Sequence, residues 1–151
     1  MKLAEALINR IEIDKNIKSL QSRIFANSLI QEGTSLIEDP NELLLELYNK
    51  MSQFKDLIIR INTTNLATKL DDGTNLMEAI VQRDHYLRLY NILDSICEHA
   101  NTRTDRYSKT EILNVPTINV VDTRKKMDNI AEKRRKIDLK IQSTNWTTEL
   151  I

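Results

Sequence analysis

From Leu3 onward the chain places its apolar residues every third or fourth position. Leu3, Ala6, Arg10, Ile13, Ile17, Leu20 and Ile24 step by 3, 4, 3, 4, 3, 4. That rhythm lays one stripe along one face of an α-helix and makes a coiled-coil seam, with a single polar break at Arg10. It returns at Leu44, Leu47, Met51, Phe54, Ile58 and Ile61. A stripe of this period cannot serve a strand, whose side chains alternate every second residue. Few residues interrupt it: the 151 residues hold two glycines and two prolines, against averages of roughly 7% and 5%. That scarcity excludes a β-sandwich or a turn-rich α/β fold. With 40% hydrophobic, 29% charged and 5% aromatic residues, the chain is too apolar to be disordered and reads as long amphipathic helices in a single domain, residues 1–151.

Punctuation divides the chain into four helices. The first covers about residues 2–30 and ends before Gly33, a suitable C-terminal cap. Asp39-Pro40-Asn41-Glu42 starts the second, with Asp39 capping free amides and Pro40 at the first helical position; it runs to about Thr64. Leu70-Asp71-Asp72-Gly73 is a turn, after which Asn75 and Glu78 cap a third helix over about 76–102. Pro116 precedes the fourth, about 119–145. Residues 103–118 read as a non-helical connection with a short strand possible at 111–115. Helices of 25–29 residues reach roughly 40 Å, so the shorter connections imply antiparallel αα-hairpins.

The two halves match each other. Arg60-Ile61-Asn62-Thr63-Thr64-Asn65-Leu66-Ala67-Thr68-Lys69-Leu70 aligns with residues 140–150 at an offset of 80, with five identities in eleven. Leu3-Ala4-Glu5-Ala6-Leu7-Ile8-Asn9-Arg10 aligns with residues 76–83 at an offset of 73, with four identities in eight. The third helix then carries a seam of Leu76, Ala79, Arg83, Tyr86, Tyr90, Leu93 and Cys97, with Arg83 where Arg10 stood. The expected fold is all-α: two hairpins, residues 3–70 and 76–150, related by an internal pseudo-twofold. Its only β-structure would be short bridges at 66–70 and 146–150, formed between the tails, and near 111–115.

The start "MKLAEAL", "RINTTNLATKL-DDG", "DRYSKTEI" at 105–112 and the ending "NWTTEL" together resemble the small bacterial septicolysin-like family. The resemblance implies an all-helical fold and no established activity. Its name suggests a membrane-active factor. Cholesterol-dependent cytolysins, however, are much longer and β-rich, with a Trp-rich loop beside a cysteine, whereas here Cys97 and Trp146 lie 49 residues apart.

Lys and Arg number 22, as do Asp and Glu, so net charge gives no drive toward nucleic acid. The distribution is dipolar: residues 103–140 carry eleven bases and six acids, and residues 31–56 six acids and two bases. Such a chain can pair its own segments or pair with copies of itself. Lys133-Arg134-Arg135-Lys136 spreads around a helix and is expected to face solvent or acidic neighbours such as Glu42 and Glu46. Cys97 is the sole cysteine, and no apolar run exceeds three residues. A signal peptide or membrane span is therefore not expected, and a cytoplasmic setting is.

No motif identifies a chemistry. His85 and His99 are about four helical turns apart and cannot share a metal within one chain. No glycine-rich phosphate loop and no local nucleophile–base arrangement exists, so neither a catalytic residue nor a cofactor is implied. Arg10 and Arg83 each break a seam, and a buried guanidinium must be paired. Asn65 and Thr68, with their counterparts Asn145 and Thr148, form a second repeated polar set. These six are the candidate ligand-binding residues, suited to an anion. Trp146 and Tyr107 are candidate interface anchors. The first expectation is a helical protein that self-assembles as a homo-oligomer with a scaffolding or binding role. The alternative is an enzyme or small-ligand binder built on the repeated polar residues.

Overall fold

The computed structural model describes residues 1–101 and 114–151. Within them lie four helices: α1 (Leu3–Asn27), α2 (Pro40–Ala67), α3 (Leu76–Ala100) and α4 (Val120–Thr147). Among the described residues there is no sheet, only isolated bridges. Tyr107, the 105–112 motif and residues 111–113 of the expected strand fall outside the described residues; Asn114 and Val115 are not in a strand.

Capping chemistry sets the helix ends. Glu5 accepts the Lys2 backbone N–H (2.7 Å) at the start of α1. Asp39 accepts the Asn41 N–H (2.8 Å) ahead of Pro40, and Asn119 accepts the Asp122 N–H (3.1 Å). Each occupies an amide that the first helical turn leaves without an intrahelical partner. The end of α1 departs from expectation. The helix stops at Asn27, and Gly33 (φ +87°) sits in a turn beyond it. The cause is the Asn27 side chain, which donates to the Arg23 carbonyl (2.9 Å) and accepts the Glu38 N–H (3.2 Å), tying the connection back onto the last turn. Gly73 (φ +85°) closes the second turn, donating to the Leu70 carbonyl (2.9 Å).

The chain forms two compact units. Unit 1 holds residues 1–75 and 142–151, and unit 2 holds residues 76–141. In unit 1, α1 and α2 pack closely as an antiparallel hairpin. Arg23 meets Glu38 at the connected end, while the start of α1 and the end of α2 both meet the C-terminal tail. Leu3, Ala6, Leu20, Leu43, Leu57 and Ile61 are buried there, each large side chain contributing roughly 2 kcal/mol of apolar burial. In unit 2, α3 and α4 pack closely. Arg83–Asp138 (3.5 Å) and Asp94–Arg124 (4.0 Å) show the antiparallel sense. Leu76, Ala79, Cys97, Met127 and Ile141 are its buried apolar residues.

The bridges lie in the expected tails but with different partners. Lys2 pairs with Glu149 and Lys69 with Asn75, both antiparallel. Each tail thus binds the residue just before a helix, and the tails do not bridge each other. The Leu3 N–H, free at the helix start, donates to the Thr148 carbonyl (2.9 Å), and in return the Leu150 N–H donates to the Met1 carbonyl (2.9 Å), as the Leu70 N–H does to the Thr74 carbonyl (2.8 Å). A helix start has donors to spare, whereas two facing tails would have to supply a complete ladder.

Candidate functional site

In unit 1 the C-terminal tail knots one end of the hairpin. The Thr64 hydroxyl, fully buried, donates to the Arg60 carbonyl (2.8 Å) and accepts the Ile151 N–H (3.0 Å). Arg60 in turn donates to the Ile151 carbonyl (2.9 Å). The Lys2 ammonium binds Glu149 (2.6 Å) and the Thr147 carbonyl (3.2 Å). Hydrogen bonding from Lys2 and then from the Met1 amino group holds the Glu149 carboxyl below the usual carboxylate range. Asn145 is buried in this unit, and its Oδ1 has no hydrogen-bond partner among the described residues. Thr148 is half-buried and contributes its backbone. Asn65 and Thr68 are half-buried, and the Thr68 N–H closes α2 on the Thr64 carbonyl (2.9 Å). The polar tail residues therefore act largely through helix termination and tail docking.

The two arginines fare differently. Arg10 is exposed: a two-helix contact leaves the edge of its seam open, and the long stem carries the guanidinium to water. Arg83 is half-buried and binds Asp84 (2.8 Å) and, across to α4, Asp138 (3.5 Å). Asp138 also lines a cleft of about 490 Å³ with Tyr86, Tyr90, Ala131, Arg134 and Arg135. Of the six candidate residues, only Arg83 has a side chain joined to this cleft, through Asp138. Tyr86 and Tyr90 stand on the same seam as Arg83, three and seven residues on, but aromatic seam residues read equally well as core. Trp146 is exposed on α4; Tyr107 lies outside the described residues.

Other charged groups bind locally. Arg23 forms a forked pair with Glu38; that hydrogen bond first, and then their Coulombic attraction, holds Glu38 below and Arg23 above their ordinary ranges. Within the basic run, Lys136 pairs with Glu132 (2.6 Å) four residues earlier, and that hydrogen bond lowers the Glu132 carboxyl. No group of three or more His, Cys, Asp or Glu side chains suited to a metal occurs among the described residues. Among them, too, no helix is long and apolar enough to cross a membrane.

Residues 10–150 match the model of the Family of unknown function (DUF6847), and the chain belongs to that family. It is also similar, over 100% of its length and 99% of the other chain, to a functionally unknown conserved protein from Corynebacterium diphtheriae, at 36% identity and a TM-score of 0.93. No curated protein matches. These findings overturn the resemblance to the septicolysin-like family: neither the matching family nor the structural relative carries that name.

Proposed function

We propose that this protein is a helical self-assembling scaffold or binding protein of the cytoplasm, acting as a homo-oligomer. The observation that carries this reading is its surface. Among the described residues 24 large hydrophobic side chains are exposed, against 13 buried apolar residues, three of them alanines. Leu45, Tyr48, Ile59 and Leu66 are each more than half exposed, and at 100° per residue they share a sector of about 60° on α2, opposite the buried Leu43 and Ile61. A helix with apolar stripes on two opposite faces has a second surface to cover. Sedimentation velocity at micromolar concentration is expected to give a species larger than 17.6 kDa; a monomer alone would sink the reading.

A second reading, small-anion binding, is favoured by the unit 2 cleft, where Arg134 and Arg135 stand beside two tyrosines. Calorimetric titration with inorganic phosphate tests it: heat that disappears in Arg134→Ala/Arg135→Ala supports it, and no heat in the parent protein removes it.

Residues 3–70 and 76–150 are further read as copies of one unit. Supporting this, α1 and α3 each have 25 residues and α2 and α4 each have 28. Both ends of α3 lie 73 residues after those of α1, and both ends of α4 lie 80 after those of α2. The bridge Lys69–Asn75 repeats Glu149–Lys2 under the same offsets.

A further inference from the structure

We infer that the self-assembly contact joins the outer face of α2 in one copy to the outer face of α4 in a second copy, with the two helices antiparallel. The inference rests on the self-assembly reading and names the surfaces that meet.

Both helices carry an exposed apolar strip. On α2 it is Leu45, Tyr48, Ile59 and Leu66; on α4 it is Val121, Leu139 and Trp146. Two positions coincide under the offset of 80: Ile59 with Leu139, and Leu66 with Trp146. All four residues at those positions are exposed. A large apolar side chain kept outward at matching places, on helices that otherwise differ, is unlike the scatter of single exposed hydrophobics that needs no explanation.

Beside each strip runs a charged band, and the two bands have opposite net sign. On α2, Glu42, Glu46 and Asp56 are exposed, with Arg60 among them donating to the Ile151 carbonyl. On α4, Lys125, Lys126, Lys133 and Lys136 are exposed, with Asp122 among them held by Asn119. At 100° per residue both bands lie on the same rotational side of their strips, within the next ~100° or so. That handedness sets the orientation. When two helices pack face to face in parallel, a flank on one side of the strip meets the opposite flank of its neighbour. When they pack antiparallel, like-sided flanks meet. The antiparallel arrangement brings the α2 carboxylates onto the four α4 lysines and opposes the two helix dipoles favourably, whereas a parallel one would set them against Arg124, which already faces Asp94, and Arg135. The occupant that supplies both complementary faces at once is a second copy of this chain.

Charge reversal tests this without touching the buried seam. The variants are Glu42→Lys/Glu46→Lys/Asp56→Lys and Lys125→Glu/Lys133→Glu/Lys136→Glu, each checked for helicity by circular dichroism. In sedimentation equilibrium each variant alone is expected to associate at least tenfold more weakly than the parent, because like charges then face each other. An equimolar mixture restores association, since every reversed band meets a reversed partner. Parent protein that associates while both variants associate equally well overturns the inference and leaves self-assembly standing. Monomeric parent protein removes self-assembly itself, and the inference with it. Weakening of the lysine variant without rescue in the mixture, or binding of a duplex DNA probe by monomeric parent protein, assigns the lysine band to another partner and overturns the inference. The orientation is read by oxidative cross-linking: Tyr48→Cys chains join Leu139→Cys chains and not Val121→Cys chains, and the reverse pattern overturns the antiparallel sense.

Discussion

The α1–α2 and α3–α4 hairpins agree at the helix ends and disagree in the middle. Leu3 and Leu76 are both fully buried, Ala6 and Ala79 nearly so, and Ile61 and Ile141 likewise. The repeated arginines then part company. Ile11 and Ile58 of the first hairpin stand at the offsets where the second has Asp84 and Asp138. Arg83 accordingly has two carboxylates within reach, while Arg10 has aliphatic neighbours in those places and turns outward. A seam position therefore does not decide whether its arginine is paired; the adjacent residue and the one across the hairpin do. The outer faces differ as well: where α4 exposes Lys126 and Lys136, α2 exposes Glu46 and Asp56 at the matching positions.

The largest expected effect tests the agreement. Leu3→Ala and Leu76→Ala each remove a fully buried side chain beside a helix start and should each cost about 2–5 kcal/mol. Urea melts giving similar losses sharpen the equivalence of the two hairpins, and one silent variant breaks it. The arginines test the disagreement. Arg83→Ala should cost about 0.5–1 kcal/mol, because it leaves Asp138 and Asp84 unpaired at a partly exposed site. Arg10→Ala should stay within about 0.5 kcal/mol of the parent. Equal losses would mean that Arg10 has a partner in solution.

Acid should separate the compact units by a smaller margin. Glu38 and Glu149 of unit 1, and Glu132 of unit 2, are held below the usual carboxylate range by hydrogen bonds from Arg23, Lys2 and Lys136. A lowered folded-state pKa contributes stability that is present above the unfolded value and lost as pH falls through the folded one. Unit 1 holds two such groups, each linking segments distant in sequence, whereas the Glu132–Lys136 pair lies within one helix. Hydrogen exchange at decreasing acidic pH should show protection falling first at the α1–α2 connection and the C-terminal tail. Glu38→Gln should flatten that dependence at the connection. An unchanged profile would show that the pair is too exposed to matter.

The helices were legible because their information is local. Period, caps and the scarcity of glycine and proline specify α2 and α4 to within three residues of their ends, since each signal acts over one or two turns. The repeated tails announced that something ends at Leu70 and Leu150, and the bridges do fall there. Their partners were not legible, because a tail's hydrogen-bonding groups accept any nearby complement. The free amides at a helix start are the better one. The cleft beside Tyr86 and Tyr90 was hidden for a related reason, as aromatics at seam spacing signal a core and a cleft alike.

By itself, then, the sequence determined four helices and their pairing into hairpins, both consequences of a 3.6-residue period acting on side chains close along the chain; the seam was legible on α1 and α3 at their buried ends, whereas on α2 the buried Leu43 and Leu57 lie off the expected stripe and its Met51 is exposed. Only the tertiary structure decided which arginine is paired, where Asn27 halts α1, and that the C-terminal tail docks on the start of α1 and the end of α2. Those outcomes depend on which groups far apart in sequence come within hydrogen-bond reach, and a one-dimensional pattern does not carry that distance.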